Sequence, residues 1–107
     1  KGITEVPVNS DTLRLVNRVC SIIESRAMTN GKDRPLIGNF RKPHSDDILQ
    51  GYCDFAEGKV WISIDNPTDI PTIVEELAHY YSDSIDLSQD MQSWLVQFTS
   101  ILLGESL

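Results

Sequence analysis

The chain has 107 residues, 40% of them hydrophobic and 23% charged, which fits one compact domain with a single core and leaves no room for two. Sixteen acidic against nine basic side chains give a net charge of −7, with the basic residues dispersed, so a nucleic-acid backbone is not the expected partner. No apolar run reaches the roughly 18–20 residues that cross a bilayer, and no cleavable signal opens the chain at Lys1. The two cysteines, Cys20 and Cys53, are too few for a disulfide scaffold and form no C-x-x-C pair, so a reducing, cytoplasmic setting is expected.

Residues 1–9 carry a short β-prone stretch interrupted by Pro7, the pattern of an arm or a sheet edge. Ser10 or Asp11 then offers an N-cap. Leu15, Val16, Val19, Ile22 and Ile23 follow at helical spacing, predicting a helix over about residues 11–28 that Asn30-Gly31 stops. Cys20 falls on its apolar side and reads as a buried thiol.

Between residues 34 and 66 proline, glycine and short apolar stretches alternate. Val60, Ile62 and Ile64 alternate with Trp61 and Ser63, the period-two signature of a half-buried strand. Glu57-Gly58 reads as a hairpin turn, and two or three antiparallel strands are expected here. Trp61 points away from the Val60–Ile62–Ile64 face, which makes it an interface candidate or a residue under a helix.

Asp69 is the expected N-cap of a second helix, with Pro71 in the first turn, where its missing N–H costs little. Leu87-Ser88 breaks that helix. Ser88 caps a third, whose stripe of Met91, Trp94, Leu95, Phe98 and Leu102 ends near Gly104. The fold class is α+β: an N-terminal helix, a small mostly antiparallel sheet and two further helices.

On a helical wheel over Ile70–Asp86, Ile70, Ile73, Val74, Leu77 and Tyr81 gather on the core side. Glu75, His79 and Asp83 stack on the other side at i, i+4 and i+8, close enough to share one ion, and a longer helix would bring Asp86 near that row. Carboxylate and imidazole are ligand types that zinc accepts. Tyr80 flanks the row, where its hydroxyl could meet a ligand. His44 reads as a loop histidine.

The string Ile73-Val74-Glu75-Glu76-Leu77-Ala78-His79-Tyr80-Tyr81 resembles the H-E-L-A-H helix of zincin metallopeptidases, with Glu75 where the first histidine belongs. The order helix, strands, helix, helix is also similar to the minimal zincin fold of small phage and bacterial members. The resemblance implies Glu76 as general base, with Glu75, His79 and Asp86 as the metal set for zinc, manganese or iron. It covers about residues 11–103 in architecture, whereas the motif itself is shorter than twenty residues. Two carboxylates make the set harder and more anionic, so the bound water would be less acidic. The expectation is therefore a zincin-like domain without ordinary peptidase activity, acting on a protein or peptide partner by binding or regulation. Two alternatives stand beside it: an active metal-dependent hydrolase, and an acidic interaction module unrelated to metal.

Overall fold

The helix α1 (Ser10–Ser25) starts where Asn9 caps it: the Asn9 side-chain oxygen accepts from the backbone N–H groups of Asp11 (2.9 Å) and Thr12 (3.1 Å). The cap thus sits one residue before the expected Ser10 or Asp11. Its reason is tertiary, because the Asn9 N–H also donates to the buried side chain of Asn39, at 2.7 Å. The computed structural model describes residues 3–42, 49–85 and 88–106; the expected loop histidine, His44, lies outside them.

Downstream of α1 come β2 (Leu36–Arg41), β3 (Gly51–Asp54), β4 (Lys59–Ser63), α2 (Ile70–Ser82) and α3 (Gln89–Ser106), with a short β1 (Thr4–Val6) ahead of the helix. The α+β class and the element order are as read from the sequence. The four strands form one sheet in the order β1-β2-β4-β3. β1 pairs with β2, and β3 with β4, antiparallel. The sheet is mostly antiparallel, as expected; β2 and β4 run parallel because β4 inserts between β2 and β3, so its neighbour on one side is not its hairpin partner.

Strand alternation sorts the side chains onto two faces. Ile37, Cys53, Val60 and Ile62 join α1, α2 and α3 in the core, together with Val16, Cys20, Ile23, Ile73, Leu77 and Tyr81. Trp61 lies on the other face but is only 7% exposed, so it is not the open interface residue that its pattern suggested. Tyr52 stacks on it at 5.8 Å and the Lys59 ammonium sits 4.1 Å above its ring. Gly38 makes this possible, because a Cβ there would lie 2.7 Å from both Lys59 and the Trp61 ring.

Helix ends depart from the sequence signals. α1 stops at Ser25, short of residue 28, and closes with Met28 N–H on Ile23 O (3.0 Å) and Ala27 N–H on Glu24 O (3.1 Å), with Ala27 at φ 57°. That is a Schellman closure without glycine. α2 closes the same way at Asp83 (φ 57°), where Ser84 N–H bonds His79 O at 3.1 Å. α2 therefore ends at Ser82, and Asp86, which a longer helix would bring near the row, lies outside the described residues. α3 keeps its predicted cap, with Met91 N–H on Ser88 Oγ at 3.2 Å, but it continues through Gly104.

Asn39 is fully buried and holds three elements at once: it accepts from Asn9 and donates to Thr12 Oγ1 (3.2 Å) and to Ile62 O (3.0 Å). Thr12 in turn donates to Pro67 O at 2.5 Å, ahead of α2. Replacing Asn39 with alanine leaves buried polar groups without partners. We expect a loss of about 2–4 kcal/mol in urea unfolding, with the slope of the transition unchanged.

Candidate functional site

Local packing decides what α2 shows to the outside. Thr72, Ile73, Glu76, Leu77, Ala78, Tyr80 and Tyr81 are buried, Val74 and His79 are half-buried, and Glu75 is exposed. Ile70, expected on the core side, is 44% exposed, because at the first residue of the helix no described element covers it. Asp69 stands at the N-cap position as expected. Its carboxylate takes the Thr72 hydroxyl, and its side chain makes no bond to the helix backbone.

Glu76 faces β3. The approach is close because residue 51 is glycine: a Cβ there would meet Thr72 Cγ2 at 2.8 Å, Trp61 O at 2.9 Å and Glu76 Cγ at 3.1 Å. Gly51, Tyr52, Cys53 and Phe55 from the β3 side, Glu75, Glu76 and His79 from α2, and Ile85 beyond it line a cavity of about 380 Å³. The helical motif and a sheet edge thus meet in one place. The sequence pointed to Glu75, Glu76 and His79, but not to the β3 residues, which carry no polar motif.

Glu76 is 7% exposed, and among the described residues no hydrogen bond or ion pair reaches it. Burial, and then the neighbouring Glu75, push its carboxyl up to about 7. Burial, then Glu76, likewise push the Cys53 thiol up to about 12, so this sulfur is a thiol and not a thiolate. His79 is held by its own helix end: Nδ1 lies 2.7 Å from Ser84 O. A carbonyl oxygen only accepts, so Nδ1 carries the proton, and Nε2 is the nitrogen without a partner among the described residues.

Other expected members of the polar row go elsewhere. Asp83 accepts from Lys32 at 3.2 Å. The Tyr80 hydroxyl donates to Asp33 O at 2.6 Å, so it is anchored in the loop before β2 and does not address the cavity. Asp86, the implied third ligand, lies outside the described residues. Among the described residues, no three His, Cys, Asp or Glu side chains come together to hold a metal ion. Glu75 and His79 offer two donors of suitable chemistry, and an imidazole fixed through Nδ1 to a carbonyl is the arrangement of a metal-bound histidine. A complete ligand set is not present among the described residues.

Comparison with protein-family models, with curated proteins and with solved structures finds no match for this chain. No described helix is long and apolar enough to cross a membrane.

The raised Glu76 has a consequence for stability. The folded chain keeps this proton up to about pH 7, whereas an unfolded glutamate releases it near 4.5. Between these values the folded state binds more protons, so stability falls as pH rises and levels off above about 7. Up to about 3 kcal/mol is at stake. In chelator, thermal melts should show Glu76→Gln matching wild type near pH 5 and exceeding it at pH 8.

Proposed function

We propose that this chain is a zincin-like domain that binds an extended protein or peptide segment in the cavity between α2 and β3 and does not cleave it. The observation that carries the reading is the buried, unpartnered Glu76 carboxylate, set beside the open Nε2 of His79 and next to an edge strand. β3 is last in the sheet, and among the described residues nothing pairs with its outer edge. Such an edge can receive a segment by main-chain hydrogen bonds, while the cavity takes a side chain. The free thiols Cys20 and Cys53 suit a reducing cytoplasm.

Binding without turnover follows from residue 75. A glutamate in the first ligand position brings negative charge where the family motif has a neutral imidazole. A metal held there would be a weaker Lewis acid, and its water a poorer nucleophile. A second reading, an active hydrolase, is favoured by one fact: a carboxyl raised to about 7 is suited to exchange protons at neutral pH.

The experiment that separates them is elemental analysis of protein purified without chelator, with His79→Ala as control, followed by mass-spectrometric assay of unfolded casein. We expect no cleavage above the His79→Ala background, whether or not zinc, manganese or iron is added. Chelator-sensitive cleavage abolished by Glu76→Gln, with metal content unchanged, would overturn the binding reading in favour of the hydrolase.

A further inference from the structure

We infer that the cavity between α2 and β3 is a receptor for one basic side chain, arginine or lysine, carried by the bound segment; this rests on the binding reading above.

Glu76 is more than nine-tenths buried, lines the cavity and has no donor or cation among the described residues. An ionised carboxylate accepts about four hydrogen bonds; no unpaired Glu76 oxygen is sealed from solvent, so its free acceptors are open to a group that enters the cavity. Glu75 adds a second carboxylate on the same lining, and it is exposed. A lining with two carboxylates matches the donors of a guanidinium or of an ammonium.

Lys32, a cation near the cavity, does not fill this role. The Lys32 ammonium lies 5.8 Å from the Phe55 ring, but it is held by Asp83 at 3.2 Å and sits 4.5 Å over Tyr80. Lys32 does not line the cavity.

Size and walls indicate a side chain and not a lone ion. About 380 Å³ is more than ten times the share of volume of one water molecule, and it is in the range of organic ligand sites. Phe55 and Ile85 supply apolar wall, and Ile85 is 80% exposed, while the Tyr52 ring turns to Trp61 on the other face of the sheet. An aromatic and an aliphatic residue suit the methylene stem of lysine or arginine, with the charged head reaching the carboxylates. The net charge of −7 adds a long-range pull on a basic segment.

The test is fluorescence anisotropy on the whole chain, in chelator, with labelled decapeptide pools. Flanking positions are randomised, and the central residue is fixed as arginine, lysine, citrulline or norleucine. Citrulline keeps the shape of arginine without its charge, and norleucine stands in for the lysine stem. We expect arginine and lysine pools to bind about tenfold or more tighter than their neutral counterparts. Glu76→Gln should remove that preference while leaving the far-ultraviolet circular dichroism unchanged. Equal binding of all four pools would overturn the basic-side-chain inference and leave peptide binding standing. No binding by any pool would overturn the peptide-binding reading, and this inference with it.

Discussion

The architecture depends on α2 being enclosed on most of its circumference. Ile73, Leu77, Ala78 and Tyr81 are fully buried, and the helix packs on β3, β4, α1 and α3. A helix so enclosed has only one strip left for polar residues. Glu75 and His79 fall within it, while Glu76, a step to one side, is carried into the junction with the sheet. Its desolvation is thus imposed by the packing of its apolar neighbours. Apolar burial of this extent is worth several times the cost of one displaced carboxyl, so the fold tolerates it.

Two small features set the depth of that junction. Gly51 removes the Cβ that would hold α2 away from β3. The αL turn at Asp83 folds the chain back so that Ser84 O meets the His79 ring. One brings the carboxylate in; the other fixes the imidazole. Both act through backbone geometry, and together they give the cavity a rigid polar side facing a more apolar one. Rigidity of this kind favours binding, since little side-chain freedom remains to be lost on the protein's side.

Much of this was legible in the sequence. The helical spacing from Leu15 to Ile23, the alternation at Val60–Ile64 and the Ser88 cap each follow from a local rule, and each element is present. The motif on α2 also named three of the cavity's residues. What stayed hidden depends on partners distant in sequence. Asn39 reads as a polar residue in a strand, yet it is the buried bond centre between α1, β2 and β4. Ala27 and Asp83 end their helices in a conformation usually marked by glycine, so Asn30-Gly31 and Leu87-Ser88 pointed too far downstream. The cavity's other wall, from Gly51 to Phe55, has no chemical signature until the sheet order puts β3 on the edge.

The central claim is that Glu76 is a buried carboxyl without a partner among the described residues. Carbon-13 NMR of the glutamate side-chain carboxyls in chelated protein tests it most directly. The account predicts one glutamate resonance, removed by Glu76→Gln, with its midpoint displaced upward to about 7. A Glu76 midpoint at or below the ordinary glutamate value would contradict it, since that requires either open solvent or a cation already beside the carboxylate.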